Sequence, residues 1–75
     1  MSKIYLGKYQ HYKGDFYEVL GVARHSETLE EFVLYRGIYH HPEYGTAPYW
    51  VRPKSMFLET VTVNGAQVPR FRYVG

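Results

Sequence analysis

The sequence predicts a small antiparallel all-β domain, either an SH3-like barrel or an open β-roll. Two patterns predict this class. Short runs of β-branched and aromatic residues alternate with turn signals along the 75-residue chain. Near the C-terminus, Asn64-Gly65 separates two such runs, and this dipeptide is the strongest short signal for a β-hairpin. A chain of this length forms one domain, residues 1–75.

The strands are predicted in order from these runs. We expect strands over 8–12, 16–24, 32–39 and 49–52, followed by a hairpin of 57–63 and 66–73. Gly14 can take a positive φ and predicts a tight turn after the first strand. Gly21 predicts that the second strand is central and strongly bent, as where one strand serves both halves of a small barrel. The polar residues 25–31 indicate a hairpin loop, and two prolines and a glycine predict irregular structure over 40–48.

The final hairpin has a predicted register, because a two-residue loop fixes which residues face each other. Val61 then lies opposite Val68, and Glu59 lies opposite Arg70. The second pair places opposite charges across the strands, which favours this register. Pro69 cannot donate a main-chain hydrogen bond, so the last strand lies at a sheet edge or over a bulge.

The aromatic content predicts an interface. Rings make up 19% of the residues, and nine of them are tyrosines. A body of 8.9 kDa cannot bury so many rings, so we expect a homodimer. We expect Tyr9, Tyr35 and Tyr39 to contribute to that interface.

The charge and hydropathy of the chain limit its partners and location. A net charge of +2 is well short of a polybasic nucleic-acid arm, although aromatic and arginine side chains leave that partner open. The sequence shows no signal peptide and no apolar run long enough to cross a bilayer. We therefore expect a cytoplasmic protein without membrane contact.

Several pieces of sequence occur in a recognisable order. They are Tyr17 to Thr28, the tetrapeptide Trp50-Val51-Arg52-Pro53, and Val68-Pro69-Arg70-Phe71. Together they resemble a bacterial family of small proteins, the domain of unknown function numbered 1653. The resemblance runs from Gly7 to about Tyr73. It implies a compact β-domain that stands alone, and it supplies no catalytic residue.

Two groups of side chains are candidates for ligand binding. Arg24, His25 and Glu27 lie where a strand runs into a polar loop, which indicates either a turn or a loop that binds an anion or a peptide. Trp50 and Arg52 are two residues apart on a strand and therefore share one face. They could bind a ligand by stacking and cation–π contact, or they could close the end of a barrel.

Catalytic and metal sites are weakly indicated. The consecutive residues His25, Ser26 and Glu27 point apart on an extended chain and cannot form a triad among themselves. His40, His41 and Glu43 match no zinc spacing. We therefore expect no metal and no cofactor, and the sequence leans away from an enzyme.

Three classes of function stay open. The first is a non-enzymatic module that binds a peptide, a protein or a nucleic acid through its aromatic and arginine surface. The second is a small-ligand-binding protein or enzyme whose pocket forms at a dimer interface. The third is a structural subunit that joins a larger complex through a free edge strand.

Overall fold

The computed structural model describes residues 3–75, and that part of the chain forms nine strands and one short helix. The strands are β1 (Gly7–His11), β2 (Phe16–Arg24), β3 (Glu31–Gly37), β4 (His40–His41), β5 (Gly45–Thr46), β6 (Tyr49–Pro53), β7 (Thr60–Val63), β8 (Ala66–Pro69) and β9 (Phe71–Tyr73), and helix α1 (Lys54–Phe57) follows β6. The predicted all-β class is confirmed.

Five of the strands form one antiparallel sheet in the order β6-β3-β2-β1-β9. The sheet is not closed into a barrel, because β6 and β9 are its two edges and do not pair. It is nevertheless strongly curled. The guanidinium carbon of Arg52 on β6 lies 5.7 Å from the ring centre of Phe71 on β9. The architecture is therefore an open β-roll.

A β-bulge in β2 accompanies this curl. The pairing of β2 with β3 passes from Val19–Tyr35 directly to Gly21–Leu34, which leaves Leu20 without a partner. An extra residue in one strand bends it and increases its twist. The predicted irregularity at Gly21 is confirmed, but here it helps a sheet to curl and does not close a barrel.

The core lies inside the curl. Its buried residues come from four strands and from α1: Tyr9, Val19, Val33, Tyr35, Phe57 and Phe71. The ring of Phe57 stacks on Phe71 with centroids 4.2 Å apart and meets Tyr35 edge to face. Offset and edge-to-face pairs are the arrangements that aromatic quadrupoles favour. Four of these six side chains are aromatic, so tyrosine and phenylalanine rings form most of this core.

The C-terminal hairpin has the predicted register. Val61 pairs with Val68 and Val63 with Ala66. Asn64 and Gly65 have φ values of 49° and 80°, as a type I′ turn requires. The predicted opposition of Glu59 and Arg70 is also present, since their charged groups lie 3.8 Å apart.

Two boundaries of this hairpin were predicted wrongly. The residues up to Phe57 are helical, so the first strand begins at Thr60 rather than at Phe57. The last strand is interrupted at Arg70, where β8 ends its pairing with β7 and β9 begins to pair with β1. At this corner the Arg70 amide donates to the Glu59 carbonyl, and the Arg70 carbonyl accepts from the Tyr12 amide.

The segment 40–48, predicted to be irregular, contains a minimal hairpin of two-residue strands. His40 pairs with Thr46 and His41 with Gly45. The ring of His41 stacks on Tyr44 at 4.5 Å, so side chains hold this short hairpin as much as its ladder does. The third strand also ends earlier than predicted, at Gly37.

Neither a membrane-spanning helix nor a cluster of metal ligands occurs in residues 3–75. No helix in this range has the length and hydropathy to cross a bilayer. No group of three or more histidine and acidic side chains in this range converges as metal ligands would.

Candidate binding surfaces

Trp50 and Arg52 lie on the inner face of β6, where they pair with Tyr35 and Val33. The Trp50 indole nitrogen donates to the Tyr39 hydroxyl at 3.2 Å. The Arg52 Nε donates to the Tyr35 hydroxyl at 3.4 Å, a long contact, while its guanidinium lies over Phe71. The predicted shared face is therefore observed, and both side chains help to cover the open side of the roll.

The three tyrosines predicted at an interface occupy inner positions. Tyr9 and Tyr35 are 6% and 5% exposed and belong to the core. The Tyr9 hydroxyl donates to the Tyr5 carbonyl at 2.7 Å. Tyr39 is half-buried, and its ring meets Tyr17 edge to face at 5.6 Å. The rings available to a partner are therefore others, above all Tyr49 and Tyr44, which are 66% and 62% exposed.

Arg24, His25 and Glu27 lie at the β2–β3 connection, where a turn holds them. His25 Nδ1 accepts hydrogen bonds from the amides of Glu27 and Thr28, at 3.1 and 3.3 Å. Arg24 donates to the Leu29 carbonyl at 3.0 Å. Arg24 and His25 line a shallow depression of about 210 Å³ together with outer-face residues. The predicted ligand-binding residues thus do not converge, since Trp50 and Arg52 face the interior.

The outer face of the sheet is apolar next to β6. Pairing aligns Gly21, Leu34 and Val51 in one row across three strands. A second row joins Ala23, Phe32 and Pro53. Val51 is 62% exposed, although it lies in the middle of its strand. An apolar row that ends at a solvent-exposed edge is a feature of interaction surfaces.

The ion pair beside these rows is already satisfied within the chain. Arg36 Nε donates to the Glu18 carboxylate at 2.7 Å. Arg36 and Glu18 are cross-strand partners on β3 and β2. On the other side of Arg36, its partner on β6 is Tyr49. The outer face therefore presents the apolar rows and the exposed Tyr49 ring, next to an ion pair whose charges compensate each other.

The main chain of β6 has one unpaired side. The Gly37 amide donates to the Pro48 carbonyl at 2.9 Å. Since hydrogen-bonded pairs alternate along an antiparallel ladder, Trp50 and Arg52 carry the bonds to β3. The amide and carbonyl groups of Tyr49 and Val51 therefore point away from the sheet. Exposed edges of this kind are templates for pairing with another strand.

A cleft of about 340 Å³ separates the end of β1 from the β7–β8 hairpin. One wall is polar and consists of Gln10, His11, Tyr12 and Arg72. The other wall is apolar and consists of Val63, Val68 and Pro69. The volume lies in the range of small-ligand pockets. No sequence pattern indicates this cleft, because its lining comes from β1 and from the C-terminal hairpin, which are distant along the chain.

The electrostatic surroundings of His11 are positive. Burial of the ring lowers the pKa of His11, and the charges of Arg52, Arg70 and Lys13 lower that pKa further, against a smaller opposing effect of Asp15. These surroundings therefore favour the neutral form of the imidazole. Its Nδ1 accepts from the Lys13 amide at 3.2 Å, so Nε2 carries the proton in the neutral ring.

Comparison with known proteins identifies the family. The model of a protein family described as "Protein of unknown function (DUF1653)" matches residues 7–73. The chain belongs to the DUF1653 family. A crystal structure of a DUF1653 protein from Bordetella bronchiseptica is 40% identical to this chain and superposes with a TM-score of 0.86. The match covers 97% of this chain and 90% of that protein. A comparison with curated proteins finds no match.

Membership confirms the resemblance inferred from the sequence and accounts for the fold. The match includes all of the main sheet and the C-terminal hairpin. The family description assigns no activity, so the function of this DUF1653 chain has to be argued from its surfaces.

Proposed function

We propose that this chain is a non-enzymatic protein-binding module that acts through strand β6 and the apolar outer face beside it. The observation that carries the proposal is the unpaired side of β6, where Val51 is 62% exposed and has its main-chain groups directed outward. A partner strand would satisfy those groups and cover the exposed side chains in one step.

The partner that this edge fits is a second copy of the chain. An antiparallel pair of β6 strands centred on Val51 would place Val51 against the partner copy's Val51 with two main-chain hydrogen bonds. The same register brings Trp50 opposite the partner copy's Arg52 on the inner face, a cation–π pair. It also brings Tyr49 opposite the partner copy's Pro53. The strand is therefore complementary to itself, as a two-fold interface requires.

Dimerisation along β6 would also extend the apolar outer face. The row of Gly21, Leu34 and Val51 would continue into the same row of the second copy. A sheet of ten strands would then present a continuous apolar strip for further protein partners. The charge distribution favours a protein partner over a nucleic acid. Arg24, Arg36 and Arg70 each have an acidic side chain within 4.0 Å, so their charges are already compensated within the chain and are less available to phosphates.

The mass of the protein in solution tests this proposal. Sedimentation equilibrium from micromolar to millimolar concentration should show a dimer for the native chain. Val51→Lys should shift the equilibrium to monomer, because it places two ammonium groups against each other at the two-fold axis. Leu6→Lys is the matched control, since Leu6 is 60% exposed but precedes β1, far from β6 in the sheet order.

A second variant tests the main-chain part of the contact. Val51→Pro removes the outward amide without breaking a bond to β3, because the alternation of the ladder leaves that amide unused. It should weaken the dimer while the far-ultraviolet circular dichroism keeps its β signal. A native chain that stays monomeric at millimolar concentration would refute the proposed interface.

A further inference from the structure

We infer that the cleft between β1 and the β7–β8 hairpin binds a small organic oxyanion with an apolar body. This site is separate from strand β6 and does not depend on the proposed function. The cleft holds about 340 Å³ and has one polar and one apolar wall. The nature of those walls determines the ligand class.

The polar wall is rich in hydrogen-bond donors. Arg72 provides a guanidinium, and one of its Nη groups donates to the Gln10 side-chain oxygen at 2.9 Å. That bond consumes the acceptor of Gln10 and leaves other guanidinium donors of Arg72 free. Among residues 3–75, no carboxylate lies within 4.0 Å of the Arg72 guanidinium.

His11 also lines the cleft, but its ring packs against Phe71 on the face of β1 opposite to Gln10. Its Nδ1 accepts from the Lys13 amide, so it adds no anionic acceptor to the site. The lining contains no aspartate or glutamate, so the polar wall offers donors and positive charge but no anionic acceptor. Such a wall selects ligands that accept hydrogen bonds, and most strongly those with a negative charge.

The charged side chains just outside the cleft are also mostly positive. Arg52 of β6, Arg70 at the β8–β9 corner and Lys13 of the β1–β2 turn all act on His11, against Asp15 of that turn. The Nε of Arg70 is buried without a hydrogen-bond partner among residues 3–75, which is a further sign of excess donors at this end of the roll.

The apolar part of the lining indicates that the ligand also has an apolar body. Val63, Val68 and Pro69 of the β7–β8 hairpin supply the apolar part of the lining. A bare inorganic ion would leave these side chains uncovered. A carboxylate or phosphate group attached to a ring or short aliphatic chain would cover them while its oxyanion meets Arg72. Both anions share the chemistry that the cleft recognises.

A titration with three matched probes tests the inference. Phenyl phosphate, benzoate and neutral benzamide are added to the ¹⁵N-labelled full chain up to about 10 mM, well above a millimolar Kd. We expect the two anions to shift the amide signals of Val63, Val68 and Arg72 and to bind at least about tenfold more tightly than benzamide. The tighter of the two anions shows whether a phosphate or a carboxylate is the natural group.

Variants and the titration of His11 complete the test. Arg72→Gln should weaken both anions about tenfold, whereas Arg24→Gln, outside the cleft, should leave their affinity unchanged. A bound anion stabilises the imidazolium, so phenyl phosphate should raise the pKa of His11 and benzamide should not. Absence of shifts in the cleft, equal binding of benzamide, or full affinity in Arg72→Gln would each overturn the inference.

Discussion

The packing of Tyr39 on Gly37 gives a quantitative prediction. A Cβ added at Gly37 would lie 2.5 Å from Cζ and 3.0 Å from Cδ2 of the Tyr39 ring. The ring cannot move away freely, because its hydroxyl accepts a hydrogen bond from Trp50 at 3.2 Å and its edge meets the Tyr17 ring. Gly37→Ala must therefore displace a side chain that two neighbours hold in place.

The cost can be estimated from these contacts. Overpacking costs roughly 1–3 kcal/mol, and the loss of the Trp50 hydrogen bond adds about 1 kcal/mol. Alanine regains roughly 0.5–1 kcal/mol, because it loses less backbone entropy on folding than glycine does. We expect Gly37→Ala to lower the free energy of unfolding by about 2 kcal/mol, which corresponds to a fall in Tm of about 10 °C for a domain of this size.

A double-mutant cycle isolates this contact. Unfolding is followed by circular dichroism in urea and on heating, for Gly37→Ala, Tyr39→Ala and the double variant. In the Tyr39→Ala background the alanine meets no ring, so it should be neutral or slightly stabilising. Gly21→Ala is the matched control, because a Cβ at Gly21 would meet nothing within 4 Å. The same loss for Gly37→Ala in both backgrounds would refute the packing argument.

Three further predictions concern the core and its titrating groups. Phe57→Ala should cost roughly 3–5 kcal/mol, since Phe57 is 2% exposed in the centre of the core, and urea unfolding measures that cost. The lowered pKa of His11 means that its neutral form stabilises the fold above its unfolded pKa of about 6.5, so the free energy of unfolding should decline as the pH falls below about 6.5, and His11→Gln should reduce that decline. Burial, and then the hydroxyl of Tyr39, raise the pKa of Tyr17, so its neutral form stabilises the fold below about pH 10. Urea unfolding should therefore show that the free energy of unfolding of the native chain falls above about pH 10 relative to that of Tyr17→Phe, and a constant difference between the two would contradict this reasoning.

The local signals in the sequence predicted the parts of the fold that depend on neighbouring residues. Asn64-Gly65 determined the hairpin and its register, because positive φ at both turn positions is compatible with few residues. Gly21 marked the bulge in β2. The two-residue period placed Trp50 and Arg52 on one face. Each of these predictions needed only the backbone preferences of adjacent residues.

The features that sequence reasoning missed depend on contacts between distant segments. Tyr9 and Tyr35 are core residues because Phe57 of α1 packs against both rings. No local sequence pattern predicts that packing. The strand break at Arg70 requires the carbonyl of Glu59 and the amide of Tyr12, which the chain brings together only in the fold.

Of the two candidate sites, one has a local sequence signal and the other depends on contacts between distant segments. The edge strand could have been found from Tyr49 and Val51, an aromatic and an apolar residue that alternate with Trp50 and Arg52 and leave β6 without a wholly polar face. The cleft beside His11 has no comparable signal, because its walls come from the two ends of the chain.

The central claim is that the unpaired side of β6 pairs with a second copy of the chain. The most direct measurement is amide hydrogen exchange at Val51 as a function of protein concentration, read by nuclear magnetic resonance. The claim predicts that exchange of this amide slows as the concentration rises from micromolar to millimolar, while the Leu6 amide is unaffected. Exchange at Val51 that is fast and independent of concentration would contradict it.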